Sequence, residues 1–544
     1  MKLWMALLAT LMVWGQARLP VFTDVTTAAG IQFKHSYGDH HLDNIVEGTG
    51  AGACFFDYNN DGWLDLYFVT GTWTRNVSDN EGRDLRGKLS NRLYRNHGDG
   101  TFTDVTEQAG VGGKGNFSSG CSAADYDNDG DVDLYVLNAG PNILYRNNGD
   151  GTFTDVSKAS GLDNPRWSLS AVWFDYNNDG YLDVYVANYL KYDDGKFRDF
   201  YPAAGYPGPL SYSGEPDALY RNNGDGTFTD VTREVGMYRP DGRAMSVTAA
   251  DFNNDGRLEV FVTNDAMENY YFEATGKGRF VERALEAGAA YGENGQGVAN
   301  MGPVVGDVNR DGWLDVFIPN LNYCILFQGG QRGFQDLTHR SGLSVALGQY
   351  AGWGAVMFDY DNDGWLDVFT VHGGAHHEYV QEDTLMRNKG DGAFEDVSAR
   401  SGQYFQEKYV GRGAAYADYD NDGDIDLVVV NLNDYAKLLR NDGGNRNHWL
   451  RVEAKLKFPS GARDAIGARV TVTTGALRQI EDLVPVRGYL SQGDPRLHFG
   501  LGKAGYADAI EIRWPDGTLE KLEKVKANQM LKLVREARAT PVKR

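Results

Sequence analysis

Residues 125–133 read Asp125-Tyr-Asp127-Asn-Asp129-Gly130-Asp131-Val-Asp133, and the reading of this stretch decides the fold. Oxygen-bearing side chains stand at every second position, with a glycine after the third. Hard divalent cations take oxygen ligands, and Ca2+ gathers about 6–8 of them at roughly 2.3–2.6 Å. Side chains at positions 1, 3, 5 and 9, with a main-chain carbonyl at position 7, can wrap one such ion. Gly130 supplies a turn that a residue with a Cβ resists.

Six further loops repeat the pattern. At positions 1, 3, 5, 7 and 9 they carry Asp57, Asn59, Asp61, Trp63 and Asp65; Asp175, Asn177, Asp179, Tyr181 and Asp183; Asp251, Asn253, Asp255, Arg257 and Glu259; Asp307, Asn309, Asp311, Trp313 and Asp315; Asp359, Asp361, Asp363, Trp365 and Asp367; Asp418, Asp420, Asp422, Asp424 and Asp426. Position 7 varies freely, as it should if only its carbonyl is used. The EF-hand shares the first positions but needs a Glu at position 12 and a following helix. Position 12 here reads Phe68, Val136, Val186, Val262, Ile318, Thr370 and Val429. Each loop runs into a β-branched or aromatic stretch, such as Leu66-Tyr-Phe-Val69 or Leu427-Val-Val-Val430. Such runs favour strands, so the EF-hand is excluded. Plain Asx turns would need neither an acid at position 9 nor alternating oxygens. We expect up to seven structural Ca2+ ions.

A second motif alternates with the loops. Its clearest form is Leu93-Tyr-Arg-Asn-His-Gly-Asp-Gly-Thr-Phe102-Thr-Asp-Val105-Thr, recurring at 144–157, 219–232 and 385–398, with weaker copies at 271–283 and 326–338. Two apolar strands flank a glycine-rich hairpin signal. Loop-to-loop spacing is 50–76 residues, room for about four short strands. Strand repeats of this length indicate a propeller or a solenoid, and solenoid coils are shorter. The expectation is an all-β, seven-bladed β-propeller over 18–444. After the seventh loop the Phe-x-Asp-Val strand is missing, and Phe22-Thr-Asp-Val25 can fill that gap, hiding an open edge. Insertions at 72–89 and 191–214 suit recognition. From 445 to 536 the pattern becomes alternating half-buried strands, read as a separate small β domain, followed by a polar tail at 537–544.

The chain has 544 residues and a formal net charge of −22. The seven loops hold 26 carboxylates, and seven Ca2+ would bring the charge to −8. The acidity is largely that of metal sites, and it argues against nucleic acid. Residues 1–17 read as a signal peptide: one charge at Lys2, an apolar run, and Gly15-Gln-Ala17 as cleavage site. That run is too short to span a membrane, so a secreted or periplasmic protein is expected. Of the three cysteines, we expect Cys54 and Cys121 as buried thiols, with a bond between adjacent blades as the alternative.

His372, His376 and His377, and His35, His40 and His41, form two histidine groups that could hold Zn2+. His372, however, occupies a strand-end position where other repeats carry Asn138, Asn188, Asn264, Asn320 and Asn431. We read all of these as polar blade corners; convergence of the asparagines on a sugar or peptide is the alternative. No nucleophile elbow, phosphate loop or His-Glu-x-x-His is present, so no enzyme is expected.

The loops resemble the FG-GAP/VCBS repeats, best known from integrin α-subunit propellers. Ile466-Gly-Ala-Arg-Val-Thr-Val472, 489–502 (Tyr-Leu-Ser-Gln-Gly-Asp-Pro-Arg-Leu-His-Phe-Gly-Leu-Gly) and Ile512-Arg-Trp-Pro-Asp-Gly517 resemble the ASPIC/UnbV domain. The pairing is similar to cartilage acidic protein and its bacterial relatives. The resemblance implies an exported, calcium-binding, non-catalytic protein and says little about its ligand; we expect a binding scaffold with a protein or glycan ligand on a propeller face. A carbohydrate-binding or carbohydrate-active propeller is the alternative, and a partner subunit of an outer-membrane transporter a third reading.

Overall fold

The computed structural model describes residues 19–537, apart from 193–205, 294, 376–377, 391, 485 and 487. The expected signal peptide, most of the polar tail, the middle of the 191–214 insertion and the His376/His377 pair lie outside these residues.

Among the described residues, seven antiparallel sheets follow one another along the chain, six of four strands and the fourth of five, because Val298–Ala299 also pairs with Glu259–Met267. The first is Ala53–Phe56, Asp65–Phe68, Arg92–Asn96 and Phe102–Asp104. Each metal-type loop joins the first strand of a sheet to the second. Each glycine-rich hairpin joins the third to the fourth. First strands are built of small and apolar residues and are buried along their length; Ser118–Ala124 is Ser-Ser-Gly-Cys-Ser-Ala-Ala. Small side chains let these strands crowd together. Ala53–Phe56 of the first sheet packs against both Ser118–Ala124 of the second and Gly411–Ala417 of the seventh.

The seventh sheet takes its fourth strand from the N-terminus. Val21–Asp24 pairs with Lys437–Asp442, setting Phe22 opposite Asn441. In the first sheet Phe102 stands opposite Asn96, and in the third Phe228 stands opposite Asn222, in the same register.

Residues 448–536 form two further sheets. One joins Ala462–Asp464, His448–Lys457 and Leu497–Gly502, with Gln529–Glu536 added in parallel; the other orders Leu477–Asp482, Arg469–Thr474, Tyr506–Arg513 and Leu519–Lys526. Their apolar residues share one buried cluster with those of the second, third and fourth sheets; Val452, Ile466 and Trp514 join Trp173, Phe174 and Val247.

One segment of this domain runs down the middle of the ring. Gln492 exchanges backbone hydrogen bonds with the first sheet: its N–H donates to Ala53 O (2.9 Å) and its O accepts from Phe55 N (3.1 Å). Its side-chain amide accepts from Ala123 N (2.8 Å) and donates to Ala123 O (3.0 Å) in the second sheet. Ser246 of the fourth sheet donates to Gly488 O (2.9 Å), and Asp494 N donates to Tyr416 O of the seventh (2.9 Å). Tyr489 reaches the far mouth, where its hydroxyl donates to Thr49 O (2.9 Å). A Cβ on Gly52 would lie 1.9 Å from Leu490 O, so the fit requires glycine there.

The cysteine expectation is corrected. Cys54 and Cys121 lie in neighbouring first strands with Cα atoms 6.2 Å apart, and they form a disulfide; Cys324 is a buried thiol. That spacing suits a disulfide. It comes from the packing of two sheets, which the sequence does not reveal.

Candidate metal centres

The seven loops share one hydrogen-bonded frame. The position-1 carboxylate caps the turn: Asp125 Oδ1 accepts from Asp129 N (3.1 Å) and Oδ2 from Gly130 N (2.8 Å), as Asp57 does for Asp61 N and Gly62 N. Position 5 accepts from the position-7 amide; Asp129 Oδ1 takes Asp131 N at 2.9 Å. The position-6 glycines all sit at φ of 86–99°, where a side chain would be strained. Position 9 opens the second strand and is buried. Where position 9 is Asp, its carboxylate accepts from the position-2 amide and from the hairpin, as Asp133 does from Tyr126 N (3.1 Å) and Asn147 N (2.8 Å); Glu259 accepts from Phe252 N (3.0 Å) and from Asn253 instead.

These frames bring carboxylates together. One ligand atom each from Asp125, Asp127 and Asp133 lies within 4.8 Å of the others; Asp359, Asp361 and Asp367, and Asp418, Asp420 and Asp426, do the same. These are positions 1, 3 and 9 of the three loops whose position 3 is Asp. In the other four, position 3 is an Asn whose amide turns toward a loop carboxylate: Asn59, Asn177 and Asn309 donate to the position-5 Asp at 2.9–3.0 Å, and Asn253 donates to Glu259 (3.1 Å).

The donor set passes a test of fit. Oδ1 of Asp127, Asp361 and Asp420 is buried without a hydrogen-bond partner, and so is Oδ1 of Asp424. A buried, unpaired charged oxygen costs several kcal/mol unless something compensates it. Burial, followed by the neighbouring loop carboxylates, pushes Asp133, Asp367 and Asp426 well above the usual carboxylate range. Burial, opposed by the Gly130 amide and helped by Asp127, takes Asp125 up to about 7. Clustered hard oxygens of this kind match Ca2+. Positions 1, 3, 5 and 9 would hold the ion with the position-7 carbonyl, and the ion would neutralise the crowded charge. Position-7 side chains face other groups: a Cβ on Gly98 would meet Trp63 at 2.4 Å, and Asp131 Oδ1 accepts from Asn60 (2.7 Å).

Two sets of residues escaped the sequence reading. Position 4 is Asn in six loops and Arg310 in the fifth, and all seven have positive φ of 53–64°. Several reach the position-6 carbonyl of the next loop: Asn128 to Gly180 (3.2 Å), Asn254 to Gly312 (3.0 Å) and Asn362 to Gly423 (2.9 Å). Asn421 of the seventh loop reaches Gly62 of the first (3.4 Å). The second set is the asparagine ending Leu-Tyr-Arg-Asn. Asn222 Nδ2 donates to Leu182 O of its own loop (3.1 Å) and to Tyr126 O of the preceding sheet (2.9 Å), and Asn96, Asn147, Asn388 and Asn441 make the same pair of bonds. Both letters recur visibly in the sequence, which was the available signal.

The histidine and asparagine alternatives do not form a site among the described residues. His372 is buried at its strand end, 2.9 Å from Thr384 Oγ1 and stacked on Tyr350. His35 is buried, and His40 pairs with Asp84 at the surface. Asn138, Asn188, Asn264, Asn320 and Asn431 are buried and bond to local backbone or side chains, as Asn188 does to Pro216 O (2.8 Å).

The FG-GAP-like repeat family matches residues 57–136, 125–186, 203–262, 251–318 and 359–429, together more than half of the chain. The chain belongs to the FG-GAP-like repeat family. The ASPIC and UnbV family matches 459–540. Cartilage acidic protein 1 of Mus musculus is 28% identical over 425 residues, covering 74% of this chain and 62% of the relative; the Homo sapiens protein is 27% identical, covering 74% and 60%. The chain thus spans about three fifths of the length of the curated relatives it matches. Among solved structures, an Agrocybe aegerita lectin specific for non-reducing terminal N-acetylglucosamine overlaps at a TM-score of 0.39 (15% identity, 70% of this chain and 86% of the lectin). BBS1N in complex with ARL6DN overlaps at 0.41 (8% identity, 78% and 97%). No helix among the described residues is long and apolar enough to cross a membrane.

Proposed function

We propose that this FG-GAP repeat protein is an exported, calcium-dependent, non-catalytic interaction scaffold. The observation that carries the metal part is the set of buried, unpartnered Oδ1 atoms of Asp127, Asp361 and Asp420, each beside two further loop carboxylates. Export is supported by the signal-peptide pattern at 1–17 and by the Cys54–Cys121 disulfide, which suits an oxidising compartment. Millimolar Ca2+ outside the cell is the range that extracellular sites use. The scaffold role is supported by kinship with cartilage acidic protein 1 and by a channel filled with the chain's own residues. That filling leaves the ring's outer surfaces, including the 72–89 insertion, for a protein or glycan partner.

Elemental mass spectrometry of the purified protein, with melting curves in Ca2+ and in EGTA, tests this reading. Bound calcium and a large drop in melting temperature are expected. An ion-free protein with an unchanged melting curve sinks the proposal. N-terminal sequencing of exported protein checks the cleavage site, and pull-downs on glycan and protein panels look for the partner.

A further inference from the structure

The C-terminal domain sits on the rim formed by the loops, and its cationic side chains meet the loops at one recurrent place. Arg463 Nε donates to Asn128 Oδ1 (2.6 Å), Arg451 and Arg496 each donate to Asn421 Oδ1 (2.9 Å), and Arg469 donates to Asn254 Oδ1. His498 Nε2 lies 2.6 Å from Asn362 Oδ1. Four of the seven position-4 residues therefore face the C-terminal domain. Each stands in the left-handed turn between positions 3 and 5, and its amide nitrogen spans to the next loop.

We propose that cation binding in the loops fastens the C-terminal domain, and with it the channel segment at 488–494, onto the ring. This rests on the loops being Ca2+ sites. Position 4 has ligand-bearing neighbours on both sides. Without a cation, like charges at positions 1, 3, 5 and 9 repel, and the turn that presents the Asn oxygen relaxes. Direct charge attraction acts the other way, because emptied loops are more negative. That attraction is strongest in the ion pairs of Arg451 with Asp418 and of Arg469 and Arg513 with Asp251, and Arg463 adds to it beside Asp125 and Asp175, as Lys455 and Arg496 do near Asp57. Many further bonds end on neutral atoms whose positions depend on the turn, among them the four Asn oxygens, Asn128 O, Gly180 O, Asp251 O and Asp418 O. The coupling requires the turn geometry to outweigh this charge attraction.

Hydrogen exchange of the full mature chain in Ca2+ and in EGTA, with native mass spectrometry counting bound ions, tests the coupling. In EGTA the amides of Gln492 and Asp494 should exchange at least about tenfold faster. Asn421→Ala should keep the wild-type ion count yet expose the same amides, and Arg463→Gln repeats that cut at the second loop. Asp420→Ala, in a loop facing the C-terminal domain, should expose the channel segment more than Asn59→Ala in the first loop. Unchanged protection of 488–494 after the ions have left would overturn the coupling while leaving the metal sites standing. Equal exposure in Asn59→Ala and Asp420→Ala would do the same. An ion count of zero in Ca2+ would overturn both readings.

Discussion

The two ends of the same strands bury carboxylates in opposite ways. At the loop end, Asp127, Asp361 and Asp420 crowd beside other acids and keep an oxygen without a partner. At the far end stand Asp217 and Asp383, buried singly with both oxygens bonded. Asp217 accepts from Asn188 N (2.7 Å) and Tyr185 Oη (2.8 Å), and Asp383 accepts from His372 N (2.8 Å) and Tyr404 Oη. Burial pushes both up to about 7. Burial and a raised pKa therefore do not mark a metal site by themselves. What sets the loop end apart is three carboxylates converging within 4.8 Å around an oxygen without a partner.

Chelation should produce the largest effect, because it acts on all loops at once. A bound ion at about 100 times its Kd adds about 2.7 kcal/mol. With an unfolding entropy of about 2.1 cal/mol/K per residue, a chain of 544 residues moves about 1 °C per kcal/mol, so losing two ions should lower Tm by about 5 °C, and losing all seven by roughly 15 °C, in calorimetry. A Tm that ignores EGTA would erase the contrast between the two ends.

Next comes Asn222→Ala. It strips the partner from two buried carbonyls, Tyr126 O and Leu182 O, and from Gly224 N. At about 1–3 kcal/mol for each buried group left unsatisfied, urea unfolding should show a loss of about 3 kcal/mol, with the ion count unchanged. A lost ion would mean that the hairpin asparagine also shapes the loop.

A paired substitution at Asp127 sharpens the loop end itself. Asp127→Ala should remove one counted ion and up to about 2.7 kcal/mol of stability in Ca2+. Asp127→Asn should keep the ion at weaker affinity, since Asn fills position 3 in four sister loops. Identical titrations for the two variants would show that the carboxylate charge at position 3 does nothing.

The loops were legible because seven copies repeat the same residue types position by position, the pattern a cation site would require. Phe22 opposite Asn441 was legible for a related reason: a repeat lacking its last strand advertises the gap. Asn128 and Asn222 were visible as recurring letters, but their partners Gly180 and Tyr126 lie in neighbouring sheets, where no spacing rule reaches. The channel segment occurs once, so no repeat announced it. Its only trace is glycine in or beside the first strands, as at Gly52 and Gly302, where a Cβ would press on Leu490 O and Tyr489 N. For Cys54 and Cys121 the sequence left a bond between adjacent blades as the alternative to free thiols, and the packing of two sheets decided for the bond.

The smallest effect should come from the far end, through pH. Folded Asp217 holds its proton up to about pH 7, whereas an unfolded Asp releases it near 3.9. The proton-bound form favours the fold, so this contribution is full below about pH 4 and fades as pH rises through about 7. The second sheet places a neutral residue in the equivalent role. There Asn142 Oδ1 accepts from Asn138 N (2.9 Å), and its Nδ2 donates to Tyr135 Oη (3.1 Å). Asp217→Asn should copy that pairing. In urea titrations the variant should match the wild type below about pH 4 and exceed it by a margin that grows up to about pH 7, with no change in ion count. A difference that stays constant with pH would show Asp217 to be ionised throughout, and the two ends of the strands would then bury charge alike.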